Sequence, residues 1–227
     1  MKTNGLKKMA STAAAVLLAL AFAGQGVAAA AAFQDLSGTP ARDKIAQLQQ
    51  RGVIHGVSDT QFMPNAAVTA AQGIQMFVNA FGLNIDLLRF VKAPQATDYF
   101  ANANNDAWYA NALIIAANND IGLSPDLDPA KNWTREEFTH QLMLTIEKHS
   151  NLPMIKIMPV DIADSADFTN GYDGSIQRAL ALHIASLDSA GKYHPAAGIT
   201  RAEAAEMIYN ALEYIAAHPA PAGGLQE

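Results

Sequence analysis

The stretch Ile199-Thr200-Arg201-Ala202-Glu203 predicts the start of an α-helix. Its threonine can accept a hydrogen bond from the backbone N–H three residues later, while the glutamate reaches back to the threonine N–H, which is the capping-box pattern. The same spacing recurs in Trp133-Thr134-Arg135-Glu136-Glu137 and in Val68-Thr69-Ala70-Ala71-Gln72. Apolar residues follow each stretch at helical spacing. Three helices are therefore predicted to begin in the same way.

A proline lies five residues upstream of each capping threonine, at Pro64, Pro129 and Pro195. These prolines recur at steps of 65 and 66 residues. A second mark, in phase with the first, reads Phe33-Gln34-Asp35, Phe100-Ala101-Asn102 and Ile162-Ala163-Asp164. Two independent marks in phase indicate three tandem repeats, and a repeat changes the meaning of every shorter motif.

Each repeat is interpreted as a helix, a loop and a second helix. The first helices carry apolar residues near helical spacing: Ile45, Leu48 and Val53; Trp108, Ala112, Ile115 and Ala116; Ile176, Ala179, Leu180 and Ile184. Gly52 suits the end of the first of these helices because glycine accepts the left-handed conformation, while Asn119 and His183 occupy the corresponding regions of the others. One helix pair cannot bury its own apolar faces, so the three pairs are expected to share one core. The predicted fold class is all-α.

The predicted boundaries follow from these marks. The repeats are assigned to residues 33–93, 94–157 and 158–217. Residues 84–93 favour a short extra helix that Pro94 ends. The tail, residues 218–227, is rich in proline and glycine and is expected to be flexible.

The composition excludes several classes of protein. Of the 227 residues, 50% are hydrophobic and 16% are charged, which rules out a disordered or collagen-like polymer. The absence of cysteine excludes a disulfide framework, a thiolate metal site and a cysteine nucleophile. The formal net charge of −6 argues against non-specific binding to nucleic acid, which needs a basic face.

Residues 1–30 have the features of a secretory signal peptide. Lys2, Lys7 and Lys8 form a basic start, and the apolar segment from Ala13 to Gly24 is too short to span a bilayer. Cleavage removes these three lysines and so lowers the net charge by three, from −6 to −9. We therefore expect a secreted protein that has no membrane contact after cleavage. Because it lacks cysteine, it fits the surface of a Gram-positive bacterium.

Arg135 and Arg201 occupy a position that capping does not explain. Each directly follows a capping threonine, where the positive end of the helix dipole disfavours a cation by roughly a few tenths of a kcal/mol. One interpretation is that the guanidinium completes an anion-binding site with N–H groups that the cap leaves free. The other is a salt bridge to a local acid such as Glu136 or Asp164, or simple solvation. The sequence alone favours neither interpretation over the other.

The repeats resemble S-layer homology repeats. The resemblance rests on the repeat length, on Phe-x-Asp near the start, on Trp-Tyr before the first helix, on Phe-x-Pro in the loop and on Ile-Thr-Arg-Ala-Glu at the second helix. It covers Phe33 to about Ala216. It implies a pseudo-threefold bundle whose grooves between repeats bind secondary cell-wall polysaccharide, often carrying ketal-linked pyruvate, and so attach surface proteins to peptidoglycan.

The resemblance also implies which residues bind the ligand. A guanidinium can bind a pyruvate carboxylate through two hydrogen bonds, and an aspartate can accept bonds from sugar hydroxyls. The candidate ligand-binding residues are Arg135, Arg201, Thr134, Thr200, Asp35 and Asp164. Repeat one is degenerate because Ala70 stands where the arginine would be, and Asn102 replaces the aspartate of repeat two. Fewer than three equivalent sites are therefore expected.

Other chemistry is not indicated. The sequence contains no nucleophile elbow, phosphate loop or dinucleotide fingerprint, and its histidines lack metal-site spacing. We therefore predict no catalytic residue, no cofactor and no metal site. Trp108 and Trp133 could stack on a sugar ring or pack inside the protein, and packing is favoured for both.

The sequence thus predicts a non-catalytic, exported module that binds secondary cell-wall polysaccharide at the cell wall or S-layer. The alternative is a structural or interaction protein whose degenerate repeats no longer bind glycan and instead contact another surface protein. An enzyme that acts on wall polymer is the least favoured hypothesis, because a glycosidase needs a defined carboxylate pair and none stands out.

Overall fold

The computed structural model describes residues 32–150, 152 and 158–219. The predicted signal peptide and residues 220–227 of the predicted tail lie outside them. The α-helices are α1 (Arg42–Gln50), α2 (Ala70–Ala80), α3 (Ala110–Asn118), α4 (Arg135–His149), α5 (Asp173–Ala181) and α6 (Arg201–Ala217), with short 3₁₀ helices at Ala96–Asp98 and Ser165–Asp167. The described residues form no β-strand, so the all-α prediction is confirmed. Units one, two and three denote the pairs α1–α2, α3–α4 and α5–α6, and the exact repeat boundaries stay a prediction.

The three predicted capping boxes are all present. The hydroxyls of Thr69, Thr134 and Thr200 each accept a bond from the backbone N–H three residues later, at 3.2–3.3 Å. The side-chain oxygen of the glutamine or glutamate at that position accepts a bond from the threonine N–H, at 2.9–3.1 Å. Because both halves of the motif lie within four residues, local sequence is sufficient to place these helix starts.

A closed triangle of hydrogen bonds marks the pseudo-threefold axis. The residue before each capping threonine donates to its counterpart in another unit: Val68 to Ile199 at 3.1 Å, Ile199 to Trp133 at 3.1 Å and Trp133 to Val68 at 2.9 Å. All three side chains are buried. The second helices begin directly after this triangle, so α2, α4 and α6 pack against one another around the axis. The pseudo-threefold bundle is therefore confirmed.

The first helices form an outer layer that closes the bundle into a ring. α3 packs on α2, α5 packs on α4, and α1 packs on α6, so each second helix is covered by the first helix of the next unit. The contact between α1 and α6 joins the first and the last of the described α-helices. It is reinforced by Lys44 with Glu206 at 2.6 Å and by Arg51 with Glu213 at 2.8 Å.

The turn after each first helix requires a left-handed residue. Gly52 adopts this conformation in unit one, with φ of 69°, as the sequence predicted. In unit three it is His183, with φ of 56°. In unit two Asn119 is the last helical cap, but the left-handed residue is the next one, Asp120, with φ of 51°. The two non-glycine residues keep the same backbone turn at a conformational cost of about 1–2 kcal/mol each.

The extra helix predicted for residues 84–93 is wrong. Apart from a single turn, in which Leu88 N–H donates to Ile85 at 3.0 Å, this segment is an irregular loop. Leu87 is 94% exposed, and Val91 is exposed as well. A helix this short is marginal unless an apolar face is packed, and the loop finds no core to cover.

The two tryptophans have opposite surroundings. Trp133 is only 5% exposed and lies against Phe77 and Phe138, with ring centroids 6.0 and 6.2 Å away, so its predicted packing role is confirmed. Trp108 is 63% exposed, so the same prediction for Trp108 is wrong. The reason is that α3 begins only at Ala110, and Trp108 therefore precedes the helix instead of lying on its inner face. None of the helices in the described part of the chain is long and apolar enough to cross a membrane.

Candidate ligand-binding grooves

Arg201 is the first residue of α6, and its side chain is buried against unit one. Nε donates to the carbonyl of Phe62 at 2.7 Å, and Nη2 donates to the carbonyl of His55 at 2.9 Å. The guanidinium carbon lies 4.5 Å from the centroid of the Phe62 ring. Burial lowers the pKa of the guanidinium, and the nearby Asp35 carboxylate opposes that shift. These contacts hold the arginine in one orientation.

The third guanidinium nitrogen of Arg201, Nη1, differs from Nε and Nη2. Among the described residues, no hydrogen-bond partner of Nη1 is found, and Nη1 is not among the buried unpaired atoms. The side chain lines a cavity of about 660 Å³, called groove one, whose lining residues are Val53, Ile54, His55, Gly56, Val57, Gln72, Gln75, Met76, Asn79, Trp108 and Arg201. That volume is typical of small-ligand sites. With neutral histidine, Arg201 carries the only formal charge in this lining set, so groove one is positive.

Groove one combines all three units. Unit one supplies the loop after α1 and the face of α2, while unit two supplies Trp108 and unit three supplies Arg201. On α2, Gln75 donates to Asn79 at 2.9 Å, and Asn79 donates to the carbonyl of Val53 at 3.2 Å. An indole face, a row of side-chain amides and a fixed guanidinium therefore surround one cavity. This set can stack on a sugar ring, bind hydroxyls and pair with an anionic group.

Arg135 packs against unit three as Arg201 packs against unit one, but it makes fewer hydrogen bonds to backbone carbonyls. The loop carbonyls and the aromatic ring that hold each guanidinium are called its seat. Nη2 donates to the carbonyl of Ser186 at 3.2 Å, and the guanidinium carbon lies 5.1 Å from the Tyr193 ring centroid. Nη1 lies 3.5 Å from Oε1 of Glu203. The buried Nε has no hydrogen-bond partner among the described residues, whereas Nε of Arg201 is bonded.

The cavity at Arg135 is much smaller than groove one. It has a volume of about 30 Å³ and is lined by Arg135, Ile184, Ala185, Ser186, Glu203, Glu206, Met207 and Asn210, together called groove three. Its two glutamates and one arginine give this lining a formal charge of −1. An anionic ligand is therefore less favoured here than in groove one.

The cavity of unit two has no arginine. This groove two has a volume of about 320 Å³ and is lined by Gly122, Leu123, Ser124, Asp126, Leu127, Asp128, Lys131, Trp133, Glu137, His140, Gln141 and Tyr172. Its cation is Lys131, which binds Glu137 at 2.5 Å. His140 stacks on Tyr172 at a centroid distance of 4.1 Å, and burial lowers the pKa of this histidine. With three acids and one lysine, the lining has a formal charge of −2.

Asp35 and Asp164 hold loops in place. Asp35 accepts bonds from the N–H groups of Phe62 at 2.9 Å and Met63 at 2.7 Å, and Asp164 accepts from Tyr193 at 2.8 Å and His194 at 2.7 Å. Burial raises the pKa of both carboxyls, but these backbone bonds outweigh it and lower the pKa below its usual value. Each aspartate thus fixes the loop that forms an arginine seat.

Asn102 takes the place of the aspartate in unit two, where the loop that it contacts has a different backbone conformation. Its amide donates to the carbonyl of Asp126 at 3.0 Å. Met63 and His194, in the loops of units one and three, have φ of 58° and 59°, whereas Asp128 at the same position is not left-handed. The loop of unit two therefore presents a carbonyl where the others present N–H groups, and an amide donor replaces the carboxylate acceptor.

The helix N-termini are not free to bind an anion. The N–H of Arg201 donates to Ala66 at 2.9 Å, and that of Arg135 donates to Ala197 at 2.7 Å. The next N–H of each helix donates to Pro64 or Pro195 in the same loops. The hypothesis that the cap leaves these groups available is therefore wrong, as neighbouring units use them. The hydroxyls of Thr134 and Thr200 serve the capping boxes.

The expected local salt bridges are also wrong. Glu136 accepts from the N–H and hydroxyl of Thr169, at 2.9 and 2.6 Å, and the acid beside Arg135 is Glu203. Gln72 and Gln75 both line groove one, which the sequence analysis did not predict. Aligning α2 with α6 from their capping threonines shows that these two glutamines correspond to Glu203 and Glu206, so the sequence does contain this difference in charge.

Comparison with known proteins agrees with this repeat structure. A model of the S-layer homology domain matches residues 32–72 and 163–205. These ranges contain Asp35 with the start of α2, and Asp164 with the start of α6. The chain belongs to the S-layer homology family. The middle repeat, which lies outside both matches, has the same helix pair in the structure.

Relatives of this S-layer homology protein are much longer than it is. Exoglucanase XynX of Acetivibrio thermocellus is 30% identical over 183 residues, which cover 80% of this chain and 16% of that protein. The amylopullulanase of Thermoanaerobacterium thermosulfurigenes is 30% identical over 183 residues, covering 80% and 9%. The surface-layer 125 kDa protein of Lysinibacillus sphaericus is 30% identical over 129 residues, covering 54% and 10%. The match to both enzymes is thus confined to a small part of each. The family assignment indicates association with the cell surface or cell wall.

Proposed function

We propose that this chain is a non-catalytic cell-wall-binding module that binds secondary cell-wall polysaccharide in groove one. The observation that carries the proposal is Nη1 of Arg201, which has no hydrogen-bond partner among the described residues and belongs to the only formally charged side chain in the lining of groove one. The ligand class is a sugar that bears a carboxylate, such as a ketal-linked pyruvate. We place the protein outside the cell, on a Gram-positive surface, after removal of residues 1–30.

The proposed pose assigns each groove residue a task. The carboxylate accepts a charge-assisted bond from Nη1 of Arg201, and the sugar ring stacks on the exposed face of Trp108. The side chains of Gln72 and Gln75 bind sugar hydroxyls. Attraction is local, because the chain as a whole carries a net charge of −6 and would repel a polyanion at long range.

The remaining candidate residues act by positioning the arginines. Asp35 fixes the loop whose carbonyls and ring hold Arg201, and Thr200 caps the helix that this arginine begins. Asp164 and Thr134 do the same for the Arg135 seat. In this proposal they do not contact the ligand, since their polar atoms already have protein partners.

The test is co-sedimentation with purified cell walls, before and after chemical removal of pyruvate. We expect Trp108→Ala and Arg201→Ala to weaken binding at least tenfold, because each removes a main ligand contact. Arg135→Ala is the matched control and should bind as the wild type does. Circular dichroism checks folding, since Arg201 is buried, and Trp108→Ala remains informative if Arg201→Ala unfolds. Equal binding to intact and pyruvate-free walls would overturn the proposal.

The second candidate function is contact with another surface protein. It is favoured by the loop of residues 84–93, which exposes Leu87, Leu88, Phe90 and Val91. Exposed apolar patches often mark interaction sites. This function predicts that Leu87→Ser with Val91→Ser lowers retention on walls that still carry their surface proteins, while Trp108→Ala leaves retention unchanged.

A further inference from the structure

Groove one and groove three differ in charge because of two positions on their second helices. Gln72 and Gln75 of α2 correspond to Glu203 and Glu206 of α6, counted from the capping threonines Thr69 and Thr200. Two other lining positions are unchanged, since Met76 corresponds to Met207 and Asn79 to Asn210, whereas Trp108 lines only groove one. Both asparagines make the same bond, to the carbonyl of Val53 and to that of Ile184, at 3.2 Å. The framework of the two grooves is therefore shared.

Both glutamates of groove three are engaged. Glu203 lies beside Nη1 of Arg135, the nitrogen that is free in Arg201, and its other oxygen accepts from the N–H of Thr200 at 2.9 Å. Glu206 accepts from Lys44 at 2.6 Å, and Lys44 also donates to Asn210 at 3.0 Å. Lys44 belongs to α1. The contact between α1 and α6 that closes the ring therefore includes hydrogen bonds to Glu206 and Asn210, which both line groove three.

Arg135 is held less tightly by its loop than Arg201 is, as expected if Glu203 draws the guanidinium away from that loop. The guanidinium carbon is 5.1 Å from its ring centroid, compared with 4.5 Å for Arg201, and its buried Nε lacks the partner that Nε of Arg201 has. The cavity volume falls from about 660 to about 30 Å³. A ligand carboxylate would have to displace Glu203 from Arg135 and would lie near Glu206, which Lys44 already pairs.

We propose that Glu203 and Glu206 form a latch that closes groove three to anionic sugars, so that the module has one open site and one latent site. This inference rests on the proposed function of groove one. The glutamates, not the loss of an arginine, determine which of the two arginine grooves binds. The latent site would take the same ligand class, a carboxylate-bearing sugar.

The test is calorimetric titration of the mature chain with a synthetic monosaccharide that carries a ketal-linked pyruvate. The wild type should bind one equivalent, and Glu203→Gln with Glu206→Gln should bind two, the second more weakly because no tryptophan lines groove three. Glutamine at position 72 completes a capping box in α2, so the substitution at position 203 keeps the helix start. Adding Arg135→Ala to the double variant is the matched control and should return it to one equivalent.

A second background separates the latch from the function of groove one. Arg201→Ala alone should bind no ketal, and Glu203→Gln with Glu206→Gln in that background should restore one equivalent. If the wild type binds one equivalent and the double variant also binds one, the latch is wrong while the proposed function stands. A wild type that already binds two equivalents also contradicts the latch. If neither protein binds the ketal, both proposals fail.

Discussion

Groove one is positive because Arg201 is flanked there by Gln72 and Gln75, whereas groove three is negative because Glu203 and Glu206 replace those glutamines. Each change adds one carboxylate to the lining of a surface cavity. Two arginines at the same repeat position therefore have different surroundings. At the scale of single residues, the charge of a groove is set by neighbours on another unit, not by the motif that contains the arginine.

The two tryptophans provide a test at this scale. Trp108→Ala should leave the unfolding free energy within about 0.5 kcal/mol of the wild type, because the side chain is largely exposed. Trp133→Ala should lower the unfolding free energy by about 3–5 kcal/mol, because it opens a cavity at the pseudo-threefold axis. Urea denaturation followed by circular dichroism measures both. Equal losses for the two variants would contradict the opposite surroundings described here.

Asp188 is expected to contribute to acid sensitivity, because its carboxyl accepts bonds from the N–H of Lys192, from His194 and from the N–H of Ala190. The Lys192 bond is the largest cause of a pKa lowered to about 2. Because the folded-state pKa lies below the unfolded-state value near 3.8, the ionised group stabilises the fold above about pH 4. That stabilisation is lost as the pH falls from about 4 through 2.

Thermal melts at pH 7, 4 and 2.5 measure this loss. The melting temperature of the wild type should fall more steeply between pH 4 and 2.5 than that of Asp188→Asn, which keeps an acceptor but has no charge to lose. The difference between the two proteins should be smaller at pH 2.5 than at pH 4, and it should vanish only below the folded-state pKa of about 2. Parallel pH profiles would show that Asp188 does not contribute to acid sensitivity.

At the scale of elements, α2 meets the axis through a glycine. A Cβ at Gly73 would lie 2.5 Å from Cζ3 and 2.8 Å from Cε3 of Trp133. The Trp133 ring packs against Phe77 and Phe138, so it has little room to move. Close approach of this helix to unit two therefore depends on the absence of a side chain at position 73.

Gly73→Ala is accordingly expected to destabilise the protein. Overpacking costs about 1–3 kcal/mol, which exceeds the gain of at most about 1 kcal/mol from helix propensity. Gly174→Ala in α5 is the control, because nothing lies within 4 Å of a Cβ there, and it should be neutral or slightly stabilising. Chemical denaturation of both variants gives the comparison. A more stable Gly73→Ala protein would mean that the tryptophan can shift.

Local motifs could be predicted from the sequence, and distant contacts could not. The capping boxes at Thr69, Thr134 and Thr200 need only residues three positions apart. The seat of Arg201 needs Phe62 and His55, which are 139 and 146 residues away. No periodicity within one repeat encodes that pairing, so the sequence indicated that arginines matter but not which groove is open. The irregular loop at residues 84–93 has apolar residues typical of a helix, and only the missing packing partner reveals the difference.

At the scale of the whole molecule, the repeats form a closed ring instead of an open array. The hydrogen-bond triangle of Val68, Trp133 and Ile199 needs one residue from every unit, and α6 covers α1. Groove one also draws on all three units. An open array loses its repeats one by one, because each contacts only its neighbours. A ring in which every unit touches both others is expected to unfold in a single transition.

A chain that ends at Ser150 tests this closure. It keeps α1 to α4 but loses Ile199 from the triangle and exposes the face of α1 that α6 covers, including the fully buried Ile45 and Leu48. We expect it to lose cooperative unfolding and most of its helical circular dichroism, whereas an additive array would keep about two thirds of the signal. A chain that ends at Ala217 lacks only the tail and should melt like the full protein. A cooperative melt of the shorter chain near the full-length temperature would contradict ring closure, because the first two units would then be stable without the third.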